Sequence, residues 1–188
     1  MNSTGILPSA TIVKEEIPRR EYLGASEIAA VLGLSKWASP LSVFYDKTRE
    51  PVATANEEQS EWQEWGNRLE PVILSAYETR VVAPGDSGLW QKPPQARSKL
   101  VPWQACSPDG LVLARPVTAP ATIVWGVDAK NVDRSQAGKW GPTGTDQIPE
   151  SYLLQMQYSM EVTGLRRWDV AALIGGNSFG SYVVEYDA

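Results

Sequence analysis

The chain has no histidine among its 188 residues. That excludes Ser-His-Asp and Cys-His catalysis, and histidine-ligated zinc or haem. It has a single cysteine, Cys106, which excludes an internal disulfide framework, a multi-cysteine zinc site and a cysteine-ligated iron–sulfur cluster. No apolar run approaches the roughly 20 residues that span a bilayer, so no membrane association is expected. Met1 to Ala10 has no basic segment leading into an apolar one, so no secretory signal is expected and the location implied is cytoplasmic. Excess positive charge is missing as well, with 17 Lys and Arg against 22 Asp and Glu and a net charge of −5. This argues mildly against a general nucleic-acid binder. A carboxylate-lined metal site adds negative charge of its own, however, and a basic groove can sit on an acidic protein. The chemistry left to such a chain belongs to carboxylates, lysine, hydroxyls and a hard, oxygen-ligated cation, Mg²⁺ or Mn²⁺.

What is present suits one domain with one substantial core. Residues 1–18 are mixed and polar and read as a mobile lead-in, with a single domain over 19–188. Ser26 is a candidate N-cap for a short helix carrying Ile28, Val31 and Leu32 on one face, stopped by Gly33. Pro40 to Lys47 reads as a second short helix with Pro40 in its first turn. The spacing of Trp62, Trp65, Leu69, Val72, Ile73 and Ala76 predicts an apolar stripe on a helix from about Glu57 to Thr79. Pro71 predicts a kink or interruption within it. Segments 80–83, 100–105, 110–113 and 123–130 read as strands, the last two meeting in a hairpin whose loop is 115–122. Residues 131–149 form a long polar stretch with Trp140 in its middle, and such loops commonly have a function. A helix over Glu150 to Thr163 ends at Gly164, and strands 168–174 and 182–186 close the chain. The class predicted is α+β, helices packed on a central mixed β-sheet.

Two short segments carry the candidate chemistry. In a strand, residues two apart share a face, so Asp128 and Lys130 project together and Val127 and Ala129 face the other layer. Asp109, at the start of the preceding strand, is brought near Asp128 by the hairpin. Two carboxylates about 4 Å apart repel by roughly 4 kcal/mol at an effective dielectric near 20. Such a pair persists if it shares a proton, meets a cation or binds a metal. The same three residues also fit a surface hairpin with an ordinary ion pair. Glu70 is a third candidate acid, or a solvated helix glutamate. Gln155 and Gln157 lie near the apolar stripe of Leu153, Met156 and Met160, as partners of the site or as partly exposed polar residues. Trp37, Trp90 and Trp140 are candidates to stack on bases, Trp140 foremost because of its loop; core packing is the alternative for each.

Four ordered blocks resemble the family of YqaJ-like viral recombinases and phage lambda exonuclease, within the PD-(D/E)xK nuclease superfamily. They are Arg19 through Gly24-Ala25-Ser26-Glu27-Ile28; Trp65-Gly66-Asn67-Arg68-Leu69-Glu70; Ala105-Cys106-Ser107-Pro108-Asp109-Gly110-Leu111; and Leu154-Gln155-Met156-Gln157-Tyr158-Ser159-Met160. Asp128-Ala129-Lys130 lies between the last two. The resemblance implies a restriction-endonuclease-like core. It implies that Asp109, Asp128 and the Ala129 carbonyl bind Mg²⁺ (Mn²⁺ substituting), with Glu70 bound directly or through water. It implies that Lys130 orients or activates the attacking water and that Gln155 completes the catalytic set. Arg19 and Ser26 match positions that hold a 5′-terminal phosphate, and Gln157 and Trp140 are further candidate DNA contacts. The exonuclease branch often carries Glu where this chain has Asp128, and it continues into a further C-terminal helix that this chain is expected to lack.

The implied activity is 5′→3′ digestion of one strand from a double-stranded DNA end. The implied partners are a single-strand annealing recombinase and a homotrimer ring, in a phage or prophage setting. A structure- or sequence-specific endonuclease on the same fold, and a non-catalytic DNA-binding module, are the alternatives.

Overall fold

The computed structural model describes residues 7–13, 17–49, 60–82, 87–114 and 122–187. Apolar alternation along its strands builds a five-stranded mixed sheet. Its members are β3 (Ser87–Gln91), β6 (Gly110–Ala114), β7 (Thr122–Val132), β8 (Arg167–Ile174) and β9 (Ser178–Glu185), in that spatial order. β6 and β7 pair antiparallel as the expected hairpin, whose connecting loop lies outside the described residues. β7 and β8 run parallel and are joined through helix α4 (Glu150–Thr163), because parallel neighbours need a crossover. A second, four-stranded sheet was not anticipated. It orders β1 (Ala10–Ile12), β4 (Ala96–Ser98), β5 (Gln104–Cys106) and β2 (Leu23–Gly24).

The alternation divides the core between two faces. Val112, Val127 and Ala171 point to helix α3 (Glu61–Arg80), meeting Ile73, Leu74 and Tyr77. Leu111, Trp168, Val170 and Ala172 point the other way, toward Met156 and Met160 of α4 and Ala96 and Cys106 of the small sheet. The α3 face also buries a polar anchor. Asp169 accepts both nitrogens of the Arg167 fork at 2.7 Å and the Tyr77 hydroxyl at 2.6 Å. Trp125 Nε1 donates to that hydroxyl at 2.8 Å. Every group in it is paired, so the buried charge is tolerated and α3 is fixed against β8.

Several sequence readings are corrected. The lead-in is not free over its described part: Leu7 is buried in the core, β1 pairs with β4, and Ser9 N–H donates to the Thr163 carbonyl at 2.9 Å. Half of the stripe read on α3 is exposed, with Trp62, Trp65 and Val72 in solvent, while Ile73 is buried and Leu69 packs against the core. Only the second half of α3 lies on the sheet, and the buried positions there are Ile73, Leu74 and Tyr77. α3 continues through Pro71 without a break. Residues 81–82 follow that helix rather than forming a strand, and the strand read over 100–105 is confined to β5. Ser26 lies inside a short 3₁₀ turn (Ala25–Glu27) instead of capping a helix. Glu27 makes the cap, accepting the Gly24 N–H at 2.8 Å, ahead of α1 (Ile28–Val31). Helix α2 (Pro40–Thr48) begins with Pro40 in its first turn, as expected.

Candidate active site

The hairpin brings the two acids together. The Ala129 N–H donates to Asp109 Oδ2 at 2.8 Å, so Asp109 is bound to the strand that bears Asp128. Lys130 and Asp128 leave β7 on one face, and Lys130 Nζ donates to Asp128 Oδ2 at 3.0 Å. Gln155, one turn inside α4, donates its amide to the same oxygen at 2.8 Å. The other oxygen, Oδ1, accepts the indole N–H of Trp168 at 3.0 Å. Asp128 is therefore a buried carboxylate, 3% exposed, with three donors fixing its plane. Burial of such a charge requires this degree of satisfaction.

Trp168 is a participant that sequence reasoning placed only in a core strand. Its register partner on β7 is Gly126. A Cβ on Gly126 would stand 2.6 Å from three atoms of the indole, so the ring lies against bare backbone. The available signal was chemical: a buried indole N–H needs an acceptor, and β8 runs beside β7.

Glu70, midway along α3, is approached by Lys92 Nζ at 3.6 Å, and the Lys92 N–H donates to the Asp109 carbonyl at 2.9 Å. Glu70, Asp109 and Lys130 line one open cleft of about 1070 Å³ together with Ser26, Trp62 and Tyr152. Tyr152, from the first turn of α4, places its ring 5.4 Å from Lys130 Nζ. Neither Tyr152 nor Lys92 belongs to a motif that marks it in the sequence.

The charges leave a shortage of positive countercharge. Burial pushes the Asp109 carboxyl up to about 7, and the nearby Asp128 and Glu70 charges act in the same direction against Lys130 and the Ala129 N–H. Burial works to lower Lys130, but Asp128 and Asp109 outweigh it and the ammonium is pushed up to about 12. Lys130 is thus a donor and a positive charge at neutral pH. Among the described residues no three acids form a ready-made metal cage. The donor set nonetheless suits a hard cation. Asp109 Oδ1 takes no hydrogen bond among the described residues, Asp128 Oδ1 takes only one, and a divalent charge would relieve the repulsion that raises Asp109.

The model of the YqaJ-like viral recombinase domain matches residues 17–166. The chain belongs to that family. It is similar to the uncharacterized protein YqaJ of Bacillus subtilis (strain 168), with 28% identity over 174 residues, 91% of this chain and 49% of that protein. The chain therefore spans about half the length of this curated relative. The fold is similar to that of an alkaline exonuclease, LHK-Exo, from Laribacter hongkongensis. The TM-score is 0.66 at 18% identity, over 90% of this chain and 79% of that one. It is also similar to a phage-related exonuclease from Haemophilus somnus 129PT, with a TM-score of 0.52 at 15% identity over 88% and 85% of the two chains. The α+β architecture, helices packed on mixed sheets, is thus shared with these two exonucleases.

In this YqaJ-family domain the remaining candidates separate. Ser26 lines the cleft. Arg19 is 70% exposed, its Nε 3.4 Å from Glu27, which also pairs with Lys47 at 2.8 Å. The neighbouring Arg20 donates to the Arg49 carbonyl. Gln157, read as a further candidate DNA contact, is held at the end of β9. Its amide donates to the Glu185 carbonyl at 2.8 Å and its oxygen accepts the Asp187 N–H at 3.1 Å, so it ties α4 to the end of β9. Trp140, the other such candidate, is buried. It is 8% exposed and packs on Tyr152 and Tyr182, with ring centroids 5.6 and 4.9 Å away. Its loop is held down by a 3₁₀ helix (Arg134–Lys139) and by Thr143 Oγ1 donating to the Ser181 carbonyl at 2.7 Å.

Proposed function

We propose that the chain is a divalent-metal-dependent deoxyribonuclease that digests one strand of linear duplex DNA from its end, 5′→3′. The observation that carries this is that Glu70, Asp109 and Lys130 line one cleft, with the buried Asp128 hydrogen-bonded to Lys130 and Gln155 behind it. The exonuclease-type fold and the YqaJ-family membership support it. Asp109, Asp128 and the Ala129 carbonyl would hold Mg²⁺, or Mn²⁺ in its place, with Glu70 beyond them. When bound, the cation supplies Lewis-acid stabilisation of the phosphate and a lowered pKa for its water.

The chain's own residues do the rest. Lys130 donates to the phosphate oxygens as charge develops there. Gln155 and Trp168 hold Asp128 in one orientation. Water's oxygen bonds to phosphorus and gives up a proton to solvent, the bond to the leaving sugar oxygen breaks, and that oxygen takes up a proton from solvent. Ser26 and Arg19 are assigned to the 5′-terminal phosphate, as hydroxyl and charged fork. A single-strand annealing recombinase that takes up the 3′ strand and a homotrimeric ring belong to the same proposal.

The test is digestion of linear duplex DNA with Mg²⁺, comparing 5′-phosphate with 5′-hydroxyl ends and with closed circles. Wild type should degrade the phosphorylated linear form fastest, and Asp109→Ala and Lys130→Ala should abolish the activity. Normal digestion by both variants would refute the site. Equal nicking of closed circles would replace the exonuclease by an endonuclease on the same centre.

A further inference from the structure

Gly66 is the only glycine within an α-helix among the described residues. A glycine inside a helix is unfavourable relative to alanine, so its retention calls for a reason. Elsewhere in this fold the reason is visible. A Cβ on Gly126 would strike the Trp168 ring, and one on Gly110 would strike Val127 and Leu89 at 2.8 and 2.9 Å. At Gly66 a Cβ would meet no described atom within 4 Å beyond its own helix. Its φ is not in the left-handed region either. Among the described residues neither internal packing nor backbone conformation accounts for it.

Its position does. Trp62, Gly66 and Glu70 are each four residues apart on α3, so they share one face. All three line the cleft that holds Asp109 and Lys130. Trp62 is 59% exposed, an indole left open beside a reactive centre. The amides of Gln63 and Asn67 line the same cleft, and Gln63 uses its oxygen to cap the helix at Ser60, 3.0 Å from that N–H. An open aromatic face, neutral amides and a bare stretch of backbone suit a polymer of flat bases on a sugar–phosphate chain. A base of any identity can stack on an indole, and glycine allows the close approach of a ligand backbone.

We infer that the Trp62–Gly66 face of α3 seats a single strand of nucleic acid. Its backbone crosses Gly66, one base stacks on Trp62, and the strand enters the acid–lysine centre one helical turn further on, at Glu70. This rests on the nuclease reading above and adds to it a route and two residues.

The measurement is fluorescence anisotropy of a short labelled oligothymidylate, with Ca²⁺ replacing Mg²⁺, together with melting temperatures. Gly66→Ala and Gly66→Leu introduce better helix formers. Both should therefore raise the melting temperature while weakening binding, by about tenfold or more for leucine. Trp62→Ala should weaken binding by about thirtyfold, the midrange of base–aromatic stacking, and Trp62→Phe should recover most of the loss. If wild type binds the oligonucleotide and Gly66→Leu and Trp62→Ala bind it equally well, the seat is wrong and the nuclease reading stands. If wild type neither binds nor cleaves DNA, the nuclease reading fails and the seat falls with it.

Discussion

Asp109 carries unrelieved electrostatic stress in the fold, and Asp109→Asn releases it. Its carboxyl is raised from 3.8 to about 7 by burial and by Asp128 and Glu70. Each unit is worth 1.36 kcal/mol, which sets a ceiling of about 4 kcal/mol. Water reaches this half-buried side chain, and screening lowers the expectation to roughly 2 kcal/mol. The sign follows from proton binding. Between about pH 4 and pH 7 the folded chain holds a proton on Asp109 that the unfolded chain has lost. Stability from this group is full below pH 4 and is lost as pH rises to about 7. Asparagine keeps an oxygen to accept the Ala129 N–H and carries no charge. In urea denaturation, wild type minus Asp109→Asn should change by about 1 kcal/mol between pH 5 and pH 8, the rest of the loss falling below pH 5, with the variant the more stable at pH 8. Mg²⁺ should restore stability to wild type at pH 8 and not to the variant. An unchanged difference across that range, or a variant less stable at pH 8, would refute the charge-stress argument.

Three further substitutions probe the surroundings. Trp168→Phe keeps most of the ring over Gly126 and removes the donor to Asp128 Oδ1; a lost bond to a buried charge predicts about 1.5–3 kcal/mol of destabilisation. Calorimetric titration with Mg²⁺ should also show weaker binding, and unchanged affinity would mean that the indole only fills space. Tyr77→Phe removes one donor to Asp169 and strands Trp125 Nε1, so urea unfolding should show a loss of about 2 kcal/mol, with DNA binding unaffected. Trp140 Nε1 is buried and unpartnered among the described residues. Trp140→Phe should therefore stay within about 1 kcal/mol of wild type, while Trp140→Ala should cost about 3–5. A specific loss of DNA binding in a normally stable Trp140→Phe would return that residue to the interface.

Much of the site was legible because strand periodicity is strict. Residues two apart must share a face, which placed Asp128 beside Lys130, and a hairpin must return Asp109 to its neighbour. Helix α4 was readable to its last residue because Gly164, at φ 76°, supplies the left-handed cap that ends it. The apolar spacing on α3 misled because it records which residues could be buried, not which half of the helix meets a sheet. Loop length misled at Trp140 in the same way. A long segment looks free until the hydrogen bonds that tie it to β9 are seen.

The sequence by itself determined what chemistry is open to this protein. Without histidine and with one cysteine, this chain is left with carboxylates, lysine, hydroxyls and a hard cation, and four ordered blocks pointed to the family. Tertiary structure alone decided how Asp128 is held. Trp168 reaches it because β8 lies parallel to β7, and Gln155 because α4 crosses between them. Those are contacts between residues about 27 to 40 positions apart, and no local pattern encodes a pairing that only chain crossover creates.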